Sequence, residues 1–183
     1  MTDSVTTFLA FLTLLGDILL VILALAYAFP YQFTKKIRHS ANQLIHQYGL
    51  PFILLVSLSS LLGSLFFSEV ALYAPCTLCW YQRIFMYPLA VLVLVSMRRK
   101  SKEVVHYILP LAIIGALIAA YNYYLQAQHW LRPLNPAVPC NIDGTSCAST
   151  YFLSYGYITM PMMALTAFLL IVLISLVIKK GEK

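Results

Sequence analysis

Apolar residues in this 183-residue chain come in long unbroken runs that are apolar on every helical face and lack the alternation of barrel strands. A hydrocarbon core of about 30 Å takes roughly 20 apolar residues per helix. Five runs reach that size, at residues 5–29, 50–72, 80–97, 104–126 and 158–178. The pattern therefore predicts an all-α membrane protein with five spans. The first run reads as a retained span, although Ala24-Leu25-Ala26 resembles a signal-peptide cleavage site. Its leading Met-Thr-Asp-Ser has no positive charge, and the run is longer than the 7–15 apolar residues usual in a signal peptide.

Composition agrees with that reading. Hydrophobic residues make up 61% and charged residues 10% of the chain, against about 45–50% and about 25% in soluble domains. The formal net charge of +6 would suggest a nucleic-acid partner in a soluble protein, but its distribution gives it another meaning. Lys35, Lys36 and Arg38 lie between the first two runs, Arg98, Arg99, Lys100 and Lys102 between the third and fourth, and Lys179, Lys180 and Lys183 after the last. Ten of the twelve cations thus occupy alternate segments. The positive-inside rule places these in the cytoplasm, and it places the N-terminus, the 73–79 turn and the 127–157 loop outside. Nothing is left to support nucleic-acid binding. Most tyrosines fall near the ends of the runs, as an interfacial aromatic belt predicts.

All four cysteines, Cys76, Cys79, Cys140 and Cys147, fall in the two outer segments. An even number on the oxidising side of a membrane reads as two disulfides. Three connectivities are possible. Local pairing, Cys76 with Cys79 and Cys140 with Cys147, is preferred because C-x-x-C is a recurrent redox spacing. Two other roles compete with redox chemistry: structural staples, and a zinc site with four thiolate ligands. Five hydrophobic spans gain little from closing such short loops. A C-x6-C second pair without a neighbouring histidine is unusual for zinc.

Arg83 stands at i+4 from Cys79 on the same helical face. A helix N-terminus and a guanidinium both favour the thiolate, so Cys79 is the expected reactive sulfur. The competing role for Arg83 is an arginine that snorkels to anchor the helix end. No haem, flavin or nucleotide motif is present, and a lipid-soluble quinone reaches the bilayer edge directly. Arg83 would then also stabilise negative charge on a quinone oxygen. In the second outer loop, Trp130, Leu131, Tyr151 and Phe152 are expected to hold parts of the segment at the membrane surface near the first pair. Asp17 lies near the centre of the first run, where a charge is costly, and a packing or helix-association role is favoured over a proton- or quinone-linked one. His39, His46, His106 and His129 read as interfacial residues, and Pro88 and Pro110 as kinks.

Cys76-x-x-Cys79-x-x-x-Arg83 at the start of a span, Pro139-Cys140, Cys147-Ala148 and Met160-Pro161 together resemble the DsbB family of disulfide-bond formation proteins. The resemblance covers about residues 50–178. It implies a four-helix bundle at residues 50–183, preceded at residues 1–49 by an additional transmembrane helix and a basic cytoplasmic loop. It also implies a multi-pass protein of the bacterial plasma (inner) membrane that reoxidises a DsbA-like thioredoxin-fold partner and passes electrons to ubiquinone or menaquinone. Carried onto this chain, the partner attacks the Cys140–Cys147 bond at Cys140. Cys147 then attacks Cys76, and Cys79 is released to face quinone beside Arg83. The short Cys140 to Cys147 spacing resembles the compact members of the family. The vitamin K epoxide reductase family shares the four-helix logic, but its loop cysteines precede the C-x-x-C, which is the reverse of the order here.

Overall fold

A computed structural model describes residues 2–28, 32–99, 103–131, 146–147 and 150–181. Five helices, each long and apolar enough to cross a membrane, make up most of it. They are α1 (Thr2–Ala28), α2 (Gln32–Leu65), α3 (Thr77–Arg99), α4 (Val105–Leu131) and α5 (Met160–Gly181). The physical reason is that lipid offers no partner to an open N–H or C=O, so a spanning segment must satisfy its backbone within itself. Pro51, Pro88 and Pro110 all lie inside helices, a position that spans tolerate because neighbouring groups take up the freed carbonyl.

The basic segment between the first two runs is not a loop. It forms the first turns of α2, which continues for 34 residues, or about 51 Å. Residues 32–49 contain no proline and several good helix formers, so the helix extends well beyond the roughly 30 Å of hydrocarbon. At its other end α2 widens into a π turn at Phe66–Val70, followed by Leu72 in the left-handed region at φ 55°.

The core is built from α2, α3, α4 and α5, with α1 packed on the outside against α5 and α2. Helices in lipid lack a hydrophobic drive toward each other, so close approach by small residues matters more than in water. On α4, Ala112, Ala116 and Ala119 are buried and Gly115 faces the fully buried Phe168 of α5. Ile171, Ile174 and Ile178 continue that seam along α5. A β-carbon at position 115 would overlap the Phe168 ring. Gly115→Val should therefore destabilise the bundle by about 1–3 kcal/mol, read as a lower melting temperature in detergent. An additional Phe168→Leu substitution should recover part of the loss.

Candidate redox site

The cysteine-bearing segments all gather at one end of the bundle. α2 leaves the membrane there through the π turn, a distortion that recurs at functional sites. The chain crosses to α3 through Tyr73, Ala74 and Pro75, and α3 starts at Thr77. Cys76 is the residue just before the helix, and its sulfur acts as a cap. Cys76 Sγ accepts the backbone N–H of Cys79 at 3.4 Å, while its carbonyl accepts that of Trp80 at 3.1 Å.

Cys76 and Cys79 are both free thiols, with their sulfurs 2.9 Å apart. A third residue joins them from α4: Nδ2 of the fully buried Asn122 lies 3.8 Å from Cys79 Sγ and 4.0 Å from Cys76 Sγ. The hydrogen bond from the Cys79 thiol pulls the Cys76 pKa from 9.0 down to about 6, against the upward push of burial. Backbone N–H groups of Cys79 and Leu78 and the Asn122 amide act in the same direction. Spacing alone points to Cys79 as the thiolate. The cap geometry instead directs the helix N-terminus at Cys76, which only the position of the first helical turn reveals.

Arg83 lies one turn further along α3. Its guanidinium donates to the Ser64 carbonyl of α2 at 3.1 Å and sits 5.1 Å over the Trp80 ring. Tyr87, a further turn down, reaches Ser64 Oγ at 3.5 Å. Arg83 therefore ties α3 to α2 as well as standing near the cysteines.

Cys147 is buried and disulfide-bonded. Cys140 lies outside the described residues. Aromatic contacts hold the segment after Cys147 against the segment before Cys76. Tyr151 stacks on Tyr73 at 4.7 Å and donates to the Ala74 carbonyl at 2.9 Å, and Phe152 packs 5.4 Å from the buried Phe67. These two aromatics thus bind protein neighbours near the first pair. Leu131 is exposed, and the Trp130 side chain lies outside the described residues.

Cys76, Cys79, Arg83 and Cys147 all line one cavity of about 440 Å³, a size typical of small-molecule sites. Its other walls are mostly apolar, but the buried Gln82 also lines it, and Gln82 Nε2 has no hydrogen-bond partner among the described residues. Gln82, Asn122 and Gln126 are buried polar residues that motif reading passed over. A signal was present: each lies in an apolar span, where a polar side chain is expensive. Asn122 and Gln126 also share a helical face at i, i+4.

A dithiol capping a membrane helix, a disulfide against the same cavity and an apolar recess beside both define a membrane thiol-disulfide oxidoreductase. Residues 47–178 match the family described as disulfide bond formation protein DsbB, and the chain belongs to that family. It is 42% identical over 128 residues to disulfide bond formation protein C of Bacillus subtilis (strain 168), which covers 70% of this chain and 89% of that protein. The SPbeta prophage-derived disulfide bond formation protein B of the same organism is 38% identical over 141 residues, covering 75% and 92%. A probable disulfide formation protein of Metapseudomonas resinovorans is 38% identical over 126 residues, covering 69% and 85%. No solved structure matches the chain. The protein is a multi-pass membrane protein with a role in disulfide-bond formation.

The lowered Cys76 pKa has a defined pH signature. Iodoacetamide should alkylate the reduced protein at a rate that rises with pH and levels off above about 6, well below the 9.0 of an ordinary thiol. Because the native dithiol releases a proton that the unfolded chain keeps until higher pH, the reduced protein should gain stability as pH rises from about 6 toward 9 and lose it on the way down. Asn122→Leu should move the alkylation midpoint upward.

Proposed function

We propose that the protein is a quinone-dependent thiol oxidase that draws electrons from an extracytoplasmic DsbA-like thioredoxin-fold partner. The observation that carries this reading is the shared cavity. Cys147, Cys76, Cys79 and Arg83 border one apolar recess at one end of the bundle, so thiol exchange and a lipid-soluble acceptor meet in one place. The cysteine end faces the outside. Arg98 and Arg99 at the end of α3, and Lys179 and Lys180 at the end of α5, lie at the opposite ends of those helices from the cysteines, in the cytoplasm.

The relay consists of thiol-disulfide exchanges. A partner thiolate attacks Cys140 of the Cys140–Cys147 bond, forming a mixed disulfide and freeing the Cys147 thiolate. Cys147 attacks Cys76, forming a Cys76–Cys147 bond and releasing Cys79. The partner's second thiol displaces Cys140 and leaves as the oxidised partner. Cys140 then attacks Cys147, restoring the loop disulfide and expelling Cys76. A leaving thiol of low pKa departs faster, and Cys76, with a pKa of about 6, suits that final expulsion.

The recess suits a quinone, whose apolar ring carries two carbonyl acceptors. Gln82 Nε2 is a buried donor without a partner among the described residues, and Arg83 has N–H groups beyond the one given to Ser64. A bound quinone supplies an acceptor for two electrons and two protons, and those electrons leave as Cys76 and Cys79 close their bond. Gln82 and Arg83 would hold the acceptor oxygens, and the apolar walls would exclude water.

The test mixes purified protein with a reduced thioredoxin-fold oxidant and a soluble quinone. Quinone reduction should occur, vanish in Cys76→Ser and persist in chelator. Arg83→Ala should raise the quinone KM by about tenfold or more, matching the roughly 1.5–3 kcal/mol of a hydrogen bond from a charged donor. An unchanged KM would remove Arg83 from quinone binding. Activity without quinone would overturn the acceptor assignment.

A further inference from the structure

α1 lies wholly outside the family match, which begins at residue 47, yet it borders the redox cavity. Leu9, Leu12, Thr13, Leu15, Gly16 and Leu19 line it. Positions 9, 12, 13, 16 and 19 form one helical stripe, about 15 Å long from end to end. The stripe begins at the depth of the redox residues: Leu9 lies in van der Waals range of Gly63, whose neighbour Ser64 accepts the Arg83 hydrogen bond. From there it runs along the apolar recess toward the middle of the bundle.

Outside the stripe, α1 also buries Ala10, Leu23 and Ala26. Phe8, Phe11, Ile18, Val21, Ile22 and Leu25 face outward and are exposed. Lipid tails solvate such side chains as well as a protein neighbour does, so association of this helix depends on close packing and polar contacts. Both occur at adjacent residues. A β-carbon at Gly16 would stand 3.0 Å from Thr166 Cγ2 and 3.3 Å from Leu170 Cδ1, so α1 and α5 approach closely there. Beside it, the Asp17 carboxyl accepts hydrogen bonds from the Thr166 hydroxyl at 2.6 Å and the Tyr157 hydroxyl at 3.0 Å. Tyr157 is itself held, because its carbonyl accepts from the Tyr123 hydroxyl of α4 at 3.2 Å. Thr166 and Gly16 line the cavity, so the latch sits on its rim.

We propose that α1, latched by Asp17 to Thr166 and Tyr157, is a wall of the quinone site that grips the isoprenoid tail along its 9–19 stripe and makes the protein select tailed over tailless quinones. This rests on the quinone reading above. The leucines of the stripe match a branched hydrocarbon chain in shape and polarity, and the polar headgroup is left to Arg83 and Gln82. Asp17 is a positioning residue and does not touch the ligand.

The test measures binding by quenching of tryptophan fluorescence in full-length protein held in lipid nanodiscs, with a tailed and a tailless form of the same benzoquinone as probes. Wild-type protein should bind the tailed form more tightly. Asp17→Ala and Gly16→Leu should each weaken the tailed form by about five- to tenfold, the equivalent of two interhelical hydrogen bonds in a bilayer, and change the tailless form by less than about twofold. Leu12→Phe, which leaves the latch intact and fills the stripe, should reproduce the selective loss. Asp17→Asn, which keeps one acceptor oxygen, should restore part of it. Equal weakening of both probes in the latch variants would mean that α1 acts only on stability, and would overturn the proposal. So would unchanged tailed-quinone binding in Leu12→Phe. Failure of wild-type protein to bind either probe would overturn the quinone reading together with this one.

Discussion

A bilayer gives a polar atom no water to turn to, and this limit shapes the molecule at every scale. It makes each spanning segment a closed helix, and it makes a polar side chain within a span costly unless a carbonyl of its own helix or a group on another helix supplies a partner. Here those side chains concentrate at the cysteine end: Ser64, Gln82, Arg83, Asn122, Asp17 and Thr166. Elsewhere the core is isoleucine, leucine, valine, alanine, methionine and phenylalanine, and its buried polar residues are the serines Ser57, Ser96 and Ser175. Low polarity around the site also strengthens the few interactions present, so a single buried amide such as Asn122 affects two sulfurs at once.

Within that setting the start of α3 does the chemical tuning. Cys76 occupies the place where serine or aspartate usually caps a helix, and its sulfur receives the amide that such a cap would take. The Cys79 thiol lowers the Cys76 pKa most, and the backbone amides that begin the helix add to it, so local folding contributes to the state of that thiol. Cys79, one turn in, donates to its partner sulfur and lines the recess. The Tyr73–Tyr151 and Phe67–Phe152 contacts then bring the segment after Cys147 to the same rim, with rings whose area costs little conformational entropy to fix.

α1 shows how a further helix joins a bundle that is already complete. One glycine permits the approach, one carboxyl supplies the polar contact, Ala10, Leu23 and Ala26 are buried, and the large side chains Phe8, Phe11, Ile18, Val21, Ile22 and Leu25 are exposed. The intramembrane aspartate that looks costly along the chain finds two hydroxyl donors once α5 and the turn at Ser154–Ile158 are folded beside it. Tyr155 and Gly156, at φ 52° and 79°, reverse the chain tightly enough to bring Tyr157 into reach.

Five membrane spans and membership of a disulfide-forming family were legible along the chain, because hydrophobic run length and clustered cysteines are local properties that a bilayer converts directly into structure. Arg83 beside a C-x-x-C and Asp17 within a span stood out for the same reason: against so apolar a background each polar residue is conspicuous. The basic segment misled, since charge marks the edge of the membrane and not the end of a helix, and α2 continues past it. Tertiary structure alone decided which sulfur caps α3, that Asn122 from α4 reaches both thiols, and that Asp17 meets Thr166 and Tyr157 some 140 to 149 positions away in the chain. Those are distances between helices, set by how small residues let the helices approach, and no periodicity along a single stretch of sequence encodes them.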